Sequence, residues 1–214
     1  TEVKFQIEQT LALSDLNRVK GQLPIVNYRD VTPATKRLKI DADLNKAELG
    51  NILRILRIAT EVKRFLDNTL ELDLGAIAEL QAEIVIPELL YRRLKESMED
   101  DGEILDTASR ELTRIRKAYD RLELGLKQKM DGYIHGGQAK YLSEQIVTIR
   151  DGRYVIPVRQ EYRNKFGGVV HDQSASGQTL FIEPQAVVNL NNQLQENLAE
   201  EKAEIKRILE ELSS

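Results

Sequence analysis

Between positions 150 and 165 the chain carries Arg150, Arg153, Arg159, Arg163 and Lys165, with Tyr154, Tyr162 and Phe166 interleaved and only Asp151 and Glu161 as counter-charges. Cations alternating with aromatic rings can grip a phosphate backbone without reading base identity. The bland alternative is a solvated hairpin whose arginines find cross-strand carboxylates such as Glu161 and Glu183. The spacing itself argues for a hairpin: Ile146 to Arg150 and Arg153 to Arg159 are β-branched runs joined by Asp151-Gly152, a pair favoured in two-residue type I′ turns. That turn sets Arg150 opposite Arg153. Like charges ~5 Å apart weaken a strand pair by a few tenths of a kcal/mol unless an anion lies over them, so removing both is expected to relieve the hairpin. Arg110, Arg114, Lys117 and Arg121 recur at helical spacing on the side of their helix away from its apolar stripe, and form a secondary candidate surface. Asp106 and Asp120 can pair with Arg110 and Arg116, which favours a solvated face there.

Catalytic chemistry has less to work with. His171-Asp172 with Ser174 and Ser176 is the one collection resembling a nucleophilic triad, but adjacent residues on a strand point to opposite faces, a poor geometry for a relay. Asp and Ser side chains bonding turn amides explain the same residues. With Cys absent and His135 and His171 the only histidines, thiolate chemistry and disulfides are excluded and no metal site is expected. No G-x-x-x-x-G-K-[ST], G-x-G-x-x-G or G-x-S-x-G run occurs, so nothing in the chain is shaped to cradle a nucleotide's phosphates.

The elements that must position these residues read as long helices. Charged residues are 31%, hydrophobic residues 41% and aromatics 5%, a composition suited to heptad-like seams, and the net charge of -4 excludes a globally basic nucleic-acid binder. Any basic surface is local. Asn45 and Glu48 form a capping-box pattern ahead of Leu49, Ile52, Leu53, Leu56, Ala59, Leu66 and Leu70, an amphipathic helix ending near Asn68. Gly75 to Gln81 and Pro87 to Met98 read as shorter helices, with Pro87 at the first helical position and Asp101-Gly102 as a break, so the first hundred residues form a helical bundle. From Asp106, Leu112, Ile115, Tyr119, Leu122, Leu126, Met130 and Tyr133 hold one stripe for ~40 Å, and Val187, Leu190, Leu194, Leu198, Ile205, Ile208 and Leu212 repeat it, broken at Glu201. Two such arms pack most simply antiparallel, with the intervening residues at their far tip.

That intervening stretch holds the hairpin above and a second β pair, Val169 to His171 with Thr179 to Ile182, before Pro184 launches the second arm. Pro157 lacks a donor, so its strand lies at an edge or turns that side outward. The fold class is therefore mainly α: a helical bundle with two long antiparallel lever helices and a small β-hairpin clamp at their tip. The domains expected are residues 1–134 with 186–214 for core and levers, and 135–185 for the clamp. No apolar run is long enough for a membrane span and no signal-peptide pattern opens the chain, so a cytoplasmic protein without membrane contact is expected. The chain starts at Thr1 and ends with helical spacing still running, as in a piece of something longer.

The run from Ile149 through Arg150-Asp151-Gly152-Arg153-Tyr154-Val155-Ile156-Pro157-Val158, then Glu161-Tyr162-Arg163, then Gly168 to Pro184 with His171-Asp172-Gln173-Ser174-Ala175-Ser176-Gly177-Gln178-Thr179, resembles the MutS-II family, the bacterial MutS-like branch without the mismatch-reading domain. Asp101 to Ser109 resembles the family's segment before the first arm, and Asp30 to Arg37 does so more loosely. The resemblance implies core or lever helices and the clamp. It also implies, in the intact protein, an ABC-type ATPase domain that binds ATP and Mg and dimerises, and usually a C-terminal Smr nuclease domain, both outside this chain. It implies ATP-gated embrace of nucleic acid, either DNA in suppression of recombination or the rRNA of stalled, collided ribosomes. Within the signature, Gly168, His171, Asp172, Ser174, Gly177 and Thr179 read as residues holding the clamp's hairpins together.

Three readings follow: a non-catalytic nucleic-acid-embracing module with Arg150, Arg153, Arg159, Arg163 and Lys165 on backbone phosphates; a helical protein-interaction module without nucleic acid; and an enzyme resting on His171. The excised chain is expected to be mostly monomeric, the dimer contacts belonging to the ATPase domain. It is also expected to bind no ATP, lacking any phosphate cradle; saturable heat on titrating ATP into the chain in a calorimeter would overturn this.

Overall fold

The computed structural model describes residues 2–67 and 77–214. The expected helix end at Asn68, Leu70, and the expected helix start at Gly75 lie outside the described residues. The chain divides into two compact units, Thr1–Ser109 with Lys206–Ser214, and Arg110–Ile205.

The first unit is helical: α1 Glu2–Lys20, α2 Thr32–Leu38, α3 Lys46–Asp67, α4 Ala78–Glu83 and α5 Glu88–Ser97. The start of α3 is the capping box anticipated from sequence. Asn45 Oδ1 accepts from the Glu48 amide at 3.0 Å and Glu48 Oε2 accepts from the Asn45 amide at 2.9 Å, so two orphan donors are satisfied reciprocally. Its apolar stripe buries Leu49, Leu53, Ile58 and Leu66, the last against Leu16 of α1 and Ile77. The Asp101-Gly102 break is a tight reversal between Met98 and Ile104, which bridge as antiparallel partners, and Gly50 lets α3 lie against it: a Cβ there would sit 2.9 Å from the Asp100 carbonyl oxygen. Helix α5 begins one residue later than expected, with Pro87 as its N-cap. Helix α1 was not specified by periodicity, and its burial explains why: Val3, Ile7, Leu11 and Val19 are exposed and Leu16 is its buried residue.

The second unit contains α6 Arg110–His135, four strands, and most of α7 Val188–Ser213. Within it α6 and α7 run antiparallel: Asn197 Nδ2 donates to the Ile115 carbonyl at 3.1 Å, Arg116 pairs with Glu201 at 2.8 Å, and Lys129 reaches the Ala186 carbonyl. The α6 stripe is as read, with Leu112, Ile115, Leu126 and Met130 buried. The second stripe holds in part: Val187, Leu194, Ile208 and Leu212 are buried and Leu190 and Ile205 half-buried, but Leu198 is 41% exposed and Asn191, Asn197 and Glu204 are buried beside the apolar residues. Arg116, expected to pair with Asp120, uses Glu201 instead, which accounts for a glutamate where an apolar residue was anticipated.

The strands are β1 Thr148–Arg150, β2 Arg153–Arg159, β3 Val169–Gln173 and β4 Thr179–Glu183, all antiparallel in the order β1-β2-β4-β3. Arg150 lies opposite Arg153 as the turn requires, and Asp151 and Gly152 both have positive φ, 51° and 71°. Pro157 lies inside the sheet order opposite Phe181, yet its carbonyl accepts from the Ser143 amide at 3.0 Å on the flank away from β4. A residue's N–H and C=O leave an antiparallel strand on the same side, so the missing donor interrupts no β2–β4 bond. The sheet packs Ile156, Val158, Leu180 and Ile182 against Leu126 and Met130 of α6 and Leu194 of α7. One close approach depends on a glycine: Gly168 has φ +80°, and a Cβ there would overlap the Glu183 carbonyl and lie 2.7 Å from the Gln185 nitrogen. Gly168→Ala is therefore expected to cost at least ~2 kcal/mol, as strain plus overlap, measured by chemical denaturation.

Candidate nucleic-acid interface

The five cations singled out from sequence are held in different ways. Arg153 on β2 points inward: its Nη2 and Nε both donate to the Glu183 carboxylate, at distances down to 2.5 Å, and its side chain is 16% exposed. Glu183, at the end of β4, is fully buried. It also accepts from His171 Nε2 at 2.5 Å and from Asn191 Nδ2 of α7 at 3.0 Å. Burial alone would raise the Glu183 carboxyl, but the hydrogen bonds from Arg153, His171 and Asn191, with the Arg153 charge, outweigh it and hold the acid below its ordinary value. Arg153 is thus part of the interior and not of a phosphate-facing surface. Sequence reasoning placed Glu183 among possible partners, but its burial comes from the sheet's stacking order, which spacing does not reveal.

Arg150 is intermediate. Its Nε donates to Asp172 Oδ2 at 3.0 Å, its Nη1 to the Thr148 hydroxyl and Ile149 carbonyl, and its guanidinium lies 4.3 Å from the Phe181 ring centroid. Each arginine of the opposed pair has its own carboxylate, so their repulsion needs no bound anion. The expectation that removing both charges relieves the hairpin is corrected accordingly: losing Arg153 strands Glu183 in the interior.

Arg159, Arg163 and Lys165 differ from both. All three are exposed, on the end of β2 and the 3-10 turn Gln160–Lys165, and none of their side chains has an ion pair or hydrogen bond among the described residues. The turn is anchored by Phe166, buried beneath it against Tyr133 and Tyr141. In the second candidate stripe, Arg114 bonds Glu111 and also reaches Glu200 at 3.3 Å, whereas Arg110, Lys117 and Arg121 are exposed without such partners among the described residues.

The signature residues make hydrogen bonds within the β3–β4 hairpin. The Ser174 amide donates to the Thr179 carbonyl at 2.9 Å, Ser174 Oγ accepts from the Thr179 amide at 3.1 Å, and the Gly177 amide, at φ +72°, donates to the Ser174 carbonyl at 2.8 Å. Asp172 Oδ1 accepts from the Gln173 amide, while its other oxygen takes Arg150. His171 sits at an irregularity in β3–β4 pairing, between Val170 and Asp172, which turns its ring toward Glu183. His171, Asp172 and Ser174 therefore have three separate sets of partners and form no relay. Among the described residues no cluster of three metal-ligating side chains occurs.

Residues missed from sequence connect the sheet to both long helices. Asn191 acts as a substitute strand: its Oδ1 accepts from the Tyr154 amide at 3.1 Å and its Nδ2 donates to the Tyr154 carbonyl at 3.2 Å. Gln195 Nε2 donates to the Gly152 carbonyl at 2.7 Å, and the Tyr154 hydroxyl donates to Glu123 of α6 at 2.8 Å. Burial and that glutamate push the Tyr154 hydroxyl up to about 12. An asparagine one position from the leucine series was the only available signal.

No family model matches the chain. Over its whole length it matches proteins named endonuclease MutS2: 56% identical over 215 residues in Lactobacillus helveticus, 56% over 214 in Lactobacillus acidophilus and 48% over 217 in Pediococcus pentosaceus. It covers 27%, 27% and 28% of those proteins, so it spans about a quarter of the length of the curated relatives it matches.

The Glu183 cluster makes a stability prediction. The folded-state acid lies below its ordinary value of 4.5, so its contribution is complete above about pH 4.5 and is lost as pH falls through the depressed value. Glu183→Gln is expected to destabilise by about 3 kcal/mol at pH 7, with the deficit shrinking as the pH falls from about 4.5 through the depressed value, read from urea denaturation across a pH series from 7 downward.

Proposed function

Because the chain belongs to the MutS-II family, we propose that it is the non-catalytic core and clamp of a MutS-like ATPase, and that its β-rich tip meets the phosphate backbone of nucleic acid, as branched DNA or as ribosomal RNA. The observation that carries this reading is the division among the cations. Arg159, Arg163 and Lys165 are exposed and without ion pairs at the end of β2 and on the short turn that follows it, while neighbouring arginines are committed to carboxylates. Three free cations in seven residues, with net charge unfavourable elsewhere, suit a local phosphate contact and leave bases unread. Sequence independence is what a clamp embracing varied structures requires.

In this reading ATP and Mg bind in a domain outside this chain, which contains no phosphate-binding loop, and that domain supplies the homodimer contacts. The endonuclease activity for which the relatives are named is likewise assigned to the remainder of the protein. The chain contributes rigid paired helices and the contact surface. Helices of 26 residues, ~39 Å long, can carry a rigid-body movement along their length.

The test is the salt dependence of binding by the full-length protein to duplex DNA and, separately, to ribosomes. Replacing Arg159, Arg163 and Lys165 with glutamine is expected to lower the magnitude of the slope of log affinity against log salt by up to about three on the physiological target. Unchanged slopes on both targets would sink the reading, and affinity insensitive to salt from the outset would favour a protein partner.

A further inference from the structure

The turn that follows Arg159 and carries Arg163 and Lys165 does not stand alone. Residues Ala139–Tyr141 form a second 3-10 turn after α6, and the Tyr141 ring packs against Tyr162 of the first turn with centroids 4.8 Å apart. Tyr141 also meets Phe166 edge-on at 6.2 Å, so two aromatic contacts hold the turns side by side. Lys140 is thereby brought to the same surface, its ammonium 5.2 Å from the Tyr141 ring centroid. It is exposed and has no ion pair among the described residues. Lys140 is nineteen residues from Arg159 in sequence, which is why the run of cations between 150 and 165 did not include it.

The hydroxyls are informative in the same way. Tyr141 and Tyr162 are half-buried through their rings, yet neither hydroxyl has a hydrogen-bond partner among the described residues. Neither belongs to the buried side-chain polar atoms without a hydrogen-bond partner, which among the described residues are Arg54 Nε and Asn197 Oδ1, so both hydroxyls reach solvent. Tyr154 makes the contrast, since its hydroxyl is taken by Glu123. The two abutting turns thus present four unpaired cations, Lys140, Arg159, Arg163 and Lys165, and two unpartnered phenolic donors, against the exposed carboxylates Glu144 and Glu161.

We propose that the paired turns Ala139–Tyr141 and Gln160–Lys165 form one phosphodiester-binding surface, in which Lys140 joins the cations and the Tyr141 and Tyr162 hydroxyls donate to phosphate oxygens. It rests on the nucleic-acid reading above and adds residues and roles to it. The chemistry fits a phosphodiester better than a carboxylate-bearing peptide, because a backbone presents evenly spaced acceptor oxygens with a charge on every unit and so engages dispersed cations and neutral donors together. The cations and the two hydroxyls are all donors, which phosphate oxygens accept whatever the base, so the contact is expected to be independent of sequence.

Counterion release separates the two kinds of contact. A cation displaced from the interface changes the salt slope, whereas a neutral hydroxyl changes affinity at every salt concentration alike. The experiment measures binding of the full-length protein to a 30-base-pair random-sequence DNA duplex across a salt series, roughly 50 to 200 mM. Lys140→Ala is expected to reduce the slope magnitude by about one. Tyr141→Phe and Tyr162→Phe are each expected to weaken binding about three- to tenfold with the slope unchanged, and to leave the melting temperature unchanged, because the rings keep their packing and the lost hydroxyl has no protein partner. If these three variants bind as the parent does while the Arg159, Arg163 and Lys165 triple variant is impaired, the surface is limited to one turn and this inference falls while the nucleic-acid reading stands. If the triple variant also binds normally, to the duplex and to ribosomes alike, both fall. A lowered melting temperature for either tyrosine variant would make the hydroxyls structural and overturn their assignment.

Discussion

A carboxylate with no access to water, Glu183, ties together the pieces of the second unit. It terminates β4, yet its oxygens accept from β2 through Arg153, from β3 through His171 and from α7 through Asn191. A buried charge is tolerated only when its partners replace the hydration it has lost, and a bidentate guanidinium with two further donors does so. Such a cluster adds little net stability over an apolar packing of the same volume, but removing any member leaves a buried group uncompensated. Its consequence is specification. Sliding β4 by one residue would move Glu183 to the other face and leave Arg153 unpaired, so one register is selected.

The same cluster sorts the cations. Arg153 is drawn inward by Glu183, and Arg150 is held by Asp172 and the Phe181 ring, so the arginines at the hairpin's tightest point are used to build it. Beyond Arg159 the strand ends and the chain enters a 3-10 turn anchored by Phe166, whose own carboxylate, Glu161, makes no ion pair with the cations it displays. Density of positive charge in the sequence therefore overstates the charge available to a ligand. What remains is smaller, and is extended by a lysine from a different turn.

Local rules made much of the fold legible. The capping box at Asn45, the type I′ turn at Asp151-Gly152 and the stripe of α6 each depend on residues within a few positions of one another, and each is present. What was illegible depends on contacts distant in sequence. The inward face of α7 was read only in part, because Asn191 and Asn197 look like surface residues until their partners, the Tyr154 backbone and the Ile115 carbonyl, are brought alongside. Arg153 was misassigned for the same reason, since the sheet order that places Glu183 beside it has no signature in spacing. Helix α1, with its apolar residues spread around the axis, gives no periodic signal at all.

The polar contacts set among the apolar residues between α6 and α7 follow from what a paired-helix element at the base of a sheet must do. Leucines along an entire seam tolerate sliding by a turn, because one apolar knob fills another's hole nearly as well. Here Asn197 is tied to the Ile115 carbonyl and Glu201 to Arg116, while buried Asn197 Oδ1 has no partner among the described residues. An unpaired buried acceptor costs about 1–3 kcal/mol, so the position is not optimised for stability. Its partners are nonetheless defined, and a slip of one turn would break both interactions at once. A seam of this kind trades cohesion for register: the Asn197 and Glu201 contacts fix where α7 lies against α6, and Asn191 ties the same helix to the Tyr154 backbone.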